Sequence, residues 1–97
     1  MPEGLLESVK NYLDITWEDA NTDAKITGII GRGIKFLNDK AGGELDYTVE
    51  DRPRELLLEY CEYARGKRLN EFMENYAPFL TDLKVKNGGV YGEATDI

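Results

Sequence analysis

Two amphipathic helix patterns fill residues 5–42 and leave little room for anything but a helical fold; the polar link between them carries the single tryptophan, Trp17. In the first, Leu5, Leu6, Val9, Tyr12 and Leu13 recur at the spacing of one helix face, with Glu7, Lys10 and Asn11 opposite. The link, residues 14–19, reads as a stop and a restart: Thr16 is placed to cap the next turn and Asp19, three residues on, to return the bond. In the second pattern, residues 23–41, Ile26, Ile29, Ile30, Gly33, Ile34 and Leu37 form one broad apolar band. Gly42 and Gly43 then supply the left-handed residues on which helices end.

A polar connection follows, with Thr48 and Asp51 again at capping spacing and Pro53 suited to a first helical turn. A helix starting at residue 51 or 52 puts Leu56, Leu57, Tyr60, Cys61 and Ala64 on one side. Beyond Gly66 the apolar set becomes Leu69, Phe72, Met73 and Tyr76, rotated by roughly 130° from the earlier band if the helix is unbroken. Two arrangements satisfy this change of phase. Either Gly66 breaks the helix and both bands meet one core, or the helix continues and the second band faces a neighbour. A glycine costs only about 1 kcal/mol in a helix, so it does not force the break.

Pro78 resets the chain, and Phe79, Leu80, Leu83 and Val85 support a short last helix that Asn87, Gly88 and Gly89 end. Val90, Tyr91 and Ile97 lie among glycine, acidic and hydroxyl residues with too little apolar surface to anchor them. The expected fold is therefore all-α: a small bundle of about four helices with a long third helix over residues 1–86, and a flexible tail over 87–97. Within the second helix Gly28, Gly31 and Gly33 cost about 2–3 kcal/mol together relative to alanine. Close approach of another helix, from this chain or the next, would offset that.

Composition narrows the chemistry. Twelve basic against nineteen acidic residues leave a net charge of -7, which opposes a free-standing nucleic-acid binder, since such binding runs on phosphate neutralisation by Lys and Arg. The densest basic set, Arg52, Arg54, Arg65, Lys67 and Arg68, lacks interleaved aromatics for base stacking and reads as a solvated face with salt bridges. There is no histidine, Ser8 is the only serine, and Cys61 sits in an apolar helix face as a small buried thiol. Histidine-based triads and the usual zinc sets cannot be assembled, and no catalytic residue, metal ligand or cofactor site is expected. Adjacent acids such as Glu18 with Asp19 and Glu50 with Asp51 belong to helix starts. One cysteine excludes an intrachain disulfide and points to a reducing compartment; no apolar run spans a membrane, and residues 1–3 begin no signal peptide.

The stretch Tyr-Leu-Asp-Ile-Thr-Trp-Glu-Asp (12–19), followed by Gly-Ile-Ile-Gly-Arg-Gly-Ile-Lys-Phe-Leu-Asn-Asp-Lys-Ala-Gly (28–42), resembles the head-tail connector (adaptor) proteins of long-tailed bacteriophages and their prophages. The likeness continues through 54–65 and 70–76, which look like that family's third helix, so it covers roughly residues 5–83. It implies a non-enzymatic structural subunit of the virion, assembled in the bacterial host cytoplasm. Such a subunit forms a homo-oligomeric ring, of about twelve copies in the virion, under the portal protein. The ring extends the channel through which double-stranded DNA passes without sequence-specific binding, and it receives the next head-completion or tail-joining protein. The likeness assigns no residue-level site. Periodicity supplies one: Leu69, Phe72, Met73 and Tyr76 as the oligomer interface, and Val90, Tyr91 and Ile97 as a partner-docking tail. The competing expectation is a small acidic helical adaptor or regulator that binds a single protein partner and forms no ring.

Overall fold

The computed structural model describes residues 2–87. Five helices follow one another: α1 (Leu5–Tyr12), α2 (Ala20–Ala41), α3 (Arg52–Arg65), α4 (Leu69–Asn75) and α5 (Ala77–Asn87). No strand occurs among the described residues, so the all-α expectation holds, with five helices where about four were expected. The long element is α2, not the third helix.

α2 is the spine. It packs against α1, α3 and α5, while α4 bridges α3 and α5. Its band of Ile26, Ile29, Ile30, Leu37 and Ala41 is buried against Leu5 and Val9 of α1, Leu56, Leu57, Tyr60 and Cys61 of α3, Phe72 of α4 and Leu80 and Leu83 of α5. Among the three glycines of α2, only Gly33 has a packing reason. A Cβ there would stand 2.8 Å from Leu57 Cδ1 and 2.8 Å from Tyr60 Cδ1, so the missing side chain is what lets α3 approach. Gly31 faces open space and Gly28 meets only the end of Arg32.

α2 begins at Ala20 because Asp19 caps it, accepting from the Thr22 N–H at 3.0 Å and the Thr22 hydroxyl at 2.8 Å. Thr16, expected in that role, stands outside the helix. Asp51 caps α3 and Pro53 fills the first turn as expected, whereas Thr48 turns instead to the Asp46 carboxylate. The connection between α2 and α3 is tied down from α2: Asn38 Oδ1 accepts from the Leu45 N–H at 3.1 Å and the buried Tyr47 hydroxyl at 2.8 Å.

The expected long third helix is two helices. Three of the five end on a left-handed residue: Asp14 after α1, Gly42 after α2 and Lys67 after α3, with φ of 61°, 81° and 60°. At Lys67 the backbone closes as a Schellman turn, the Arg68 N–H reaching the Tyr63 carbonyl at 2.8 Å and the Lys67 N–H reaching the Ala64 carbonyl at 3.0 Å. The neighbouring glycine, Gly66, keeps an ordinary φ of -84°. The break therefore turns on a lysine held where L-residues are disfavoured by about 1–2 kcal/mol.

K67G is expected to raise unfolding stability by up to about 1 kcal/mol, the relief of that conformation less the greater chain freedom of glycine. G33A is expected to lower it by about 1–2 kcal/mol, since overpacking exceeds the helix propensity gained, and G31A to raise it by somewhat under 1 kcal/mol. Urea denaturation of the three variants checks all of these.

Candidate assembly surface

The four positions expected to face a neighbour are divided by the turn at Lys67. It rotates α4 back onto the core, so Phe72, at 0% exposure, is enclosed by its own chain and offers nothing to a neighbour. That corrects the expectation for Phe72. Leu69 and Tyr76 are half-buried, and Met73 stands 43% exposed on the outer side of α4.

Phe72 is the hub of an aromatic cluster. Its ring lies 5.1 Å from Tyr76 in a stacked arrangement, 5.6 Å edge-on to Tyr60, 5.8 Å from Tyr63 and 6.3 Å from Phe36. The cluster reaches the surface through Tyr76, whose ring is 5.9 Å from Phe79 of α5. Phe79 is 36% exposed, and the Arg52 guanidinium lies 4.3 Å over its ring. Leu69, Met73 and Tyr76 follow one another at helical spacing, so with Phe79 they form an apolar edge along α4 and the start of α5.

One carboxylate organises the inner margin of this edge. Glu59 on α3 accepts from the Tyr76 hydroxyl at 3.0 Å and, through its other oxygen, from the Tyr12 hydroxyl of α1. Burial first, and the Glu59 carboxylate second, push the Tyr76 hydroxyl up to about 12 and raise Tyr12 still more. An open depression of about 280 Å³ lies beside this contact, lined by Tyr12, Arg52, Glu55, Leu58 and Tyr76 among others.

Burial pushes the fully enclosed Cys61 thiol up to about 12, which keeps it protonated and inert at neutral pH. Among the described residues no group of three His, Cys, Asp or Glu side chains is gathered to hold a metal, and no helix is long and apolar enough to cross a membrane. Val90, Tyr91 and Ile97 lie outside the described residues.

The expected basic set divides as well. Arg54 bonds the Tyr47 carbonyl at 3.0 Å and the Ser8 hydroxyl at 2.8 Å and pairs with Glu50, while Arg52 and Arg68 pair with Glu55 and Glu71. Arg65 and Lys67 instead join Lys25 and Arg32 around a groove between α2 and the end of α3. Periodicity did not single out Lys25 or Arg32, because the grouping comes from the crossing of two helices and not from spacing along one.

It also missed Lys10. Read as solvent-facing, this lysine is only 3% exposed, its ammonium 2.8 Å from Asp23 and 3.6 Å from Glu18. The contact with Asp23 is close but outside hydrogen-bond geometry. The Asp23 carboxylate beside it raises the Lys10 ammonium above the ordinary lysine value, against the lowering effect of burial.

F72A is expected to cost about 3–4 kcal/mol of folding stability, the range for removing a core aromatic, whereas M73A costs well under about 1 kcal/mol. Urea midpoints separate the two. Because Cys61 and Tyr76 titrate higher folded than their ordinary values of 9.0 and 10.0, the stability they contribute is complete below those values. It is lost as pH rises toward about 12. Unfolding midpoints are thus expected to fall progressively across that alkaline window, and native Cys61 to resist alkylation at pH values where a free thiol reacts.

Compared with protein-family models, with curated proteins and with solved structures, the chain matches none.

Proposed function

We propose that the chain is a non-enzymatic structural subunit of a phage head-tail connector, forming a ring under the portal that extends the DNA channel and joins head to tail. Two observations support this reading. The sequence stretches at 12–19 and 28–42 resemble that family, and an apolar edge of Leu69, Met73, Tyr76 and Phe79 is left over once the core has closed.

The edge carries the argument. Met73 and Phe79 are large apolar side chains on a rigid two-helix corner, backed by an aromatic cluster that fixes their position. A head-to-tail contact between this corner and a different surface of the next copy, repeated by rotation, is the kind that closes a ring. The chain is acidic on balance, which suits a channel along which duplex DNA slides rather than sticks. Portal protein on one side and the next head-completion or tail-joining protein on the other are the heterologous partners of such a ring. Its place is the virion, after assembly in the bacterial host cytoplasm.

Light scattering at rising protein concentration, alone and with portal protein, tests the proposal. Rings, or assembly on the portal only, are expected for the native chain, and M73E is expected to abolish them while its circular dichroism and urea midpoint stay near native. A chain that stays monomeric with portal protein present would mark the adaptor that binds a single partner.

A further inference from the structure

An open groove of about 590 Å³ runs between α2 and the end of α3. Its rim carries Lys25, Arg32, Arg65 and Lys67, its floor includes Ile26 and Ile29, and no carboxylate lines it. None of the four cations makes an ion pair with a described residue, although the chain holds nineteen acids. Four cations without a salt bridge around an apolar floor, of which only Lys25 feels a nearby acid, Asp19, suit an acidic segment that carries one apolar anchor.

The chain itself has such a segment beside the groove. In the link 14–19, Trp17 is 48% exposed and is accompanied by Asp14, Glu18 and Asp19, all at the surface. This lip is held rigidly: Asp19 caps α2, and Glu18 leans toward Lys10 while its own side chain stays 84% exposed. It borders the groove at both ends. Asp19 is bonded to Thr22, which lines the groove, and Asp14 shares a second depression with Arg65.

An acidic lip with an aromatic anchor and a basic groove with an apolar floor therefore lie side by side on one face. Such a face is complementary to itself: a two-fold axis places each lip in the other copy's groove and makes every contact twice. Were the two patches on opposite sides, the same complementarity would give a head-to-tail chain. We propose that two copies of this protein pair about a two-fold axis through this face, Trp17 of each seated in the groove rimmed by Lys25, Arg32, Arg65 and Lys67 of the other. The contact uses none of the α4–α5 edge and does not rest on the connector reading. Duplex DNA suits the groove less well, because the rest of the surface repels phosphate and two isoleucines offer it nothing.

Sedimentation velocity from about 10 µM to about 1 mM, at about 0.05 M and about 0.5 M salt, tests the pairing. A monomer–dimer step that weakens by at least about ten-fold at high salt is expected, and in the M73E chain, which lacks the α4–α5 contact, association stops at two copies. W17A, and K25E with R65E, should each weaken it by about ten-fold or more at unchanged circular dichroism, while M73E leaves it intact. If charge reversal disturbs folding, K25Q with R65Q should give the same loss. Mixing the W17A chain with the K25E/R65E chain should restore part of the pairing, since one native lip and one native groove meet in the mixed dimer. A monomer throughout, a dimer indifferent to these variants, or growth beyond two copies that W17A abolishes would each overturn the proposal. So would salt-sensitive binding of a DNA duplex lost in K25E/R65E, which would give the groove to phosphate.

Discussion

The turn at Lys67 decides what this chain can be. With α3 and α4 joined as one helix, Phe72 would lie far around the cylinder from Tyr60 and the core would lack its aromatic centre. The left-handed residue reverses that outcome, bringing Phe72 within ring contact of Tyr60, Tyr63, Tyr76 and Phe36. A strained lysine costs about 1–2 kcal/mol, and burying a phenylalanine ring returns more than that in transfer and packing together. The balance favours the break even though no residue at that point is a strong breaker by conformation.

The bundle is small, and its short helices are held as much by polar ties between elements as by the apolar core. Arg54 of α3 reaches back to Ser8 of α1 and to the Tyr47 carbonyl in the connection, fixing three segments with one guanidinium. Asn38 does the same for the exit from α2, and Glu59 for the meeting of α1 with the α4–α5 junction. Lys10 is the costliest of these ties, because an ammonium has been taken out of water and depends on Asp23 and Glu18 for compensation. The bonds from Arg54 to Ser8 and from Tyr12 to Glu59 join residues 46 and 47 apart in sequence, so they specify which helix meets which, a choice that apolar burial alone leaves loose.

That distinction explains what the sequence revealed. The apolar face of α2, the stop at Gly42 and the start of α3 at Arg52, with Pro53 in its first turn, follow from local pattern and were legible, as was the burial of Cys61. The rotation of the apolar band after Gly66 was also visible, but not its resolution, since the residue that turns the chain is Lys67 and lysine carries no left-handed signal. Thr16 was the legible cap, with Asp19 as its return partner; α2 instead starts at Ala20 with Asp19 as its cap, which puts Asp23 in the first turn beside Lys10. Lys10 itself looked solvated by period alone, since what buries it is the link folding over from the far side. The basic groove was invisible for a similar reason: its four cations come from two helices and a corner, and only their crossing assembles them.

Charge then separates the two surfaces that the core leaves unsatisfied. The α4–α5 edge is apolar, with Arg52 lying across Phe79, so contact there draws on dispersion and desolvation and is little affected by salt. The Trp17 face joins opposite charges around an aromatic anchor, so its strength falls with ionic strength and its geometry is fixed by where lip and groove sit. A self-complementary face is satisfied by one partner and stops there, whereas an edge used head to tail must repeat until it closes. On the two proposals, screening weakens the pairing contact and spares the apolar corner, so ionic strength is the variable that tells the two contacts apart.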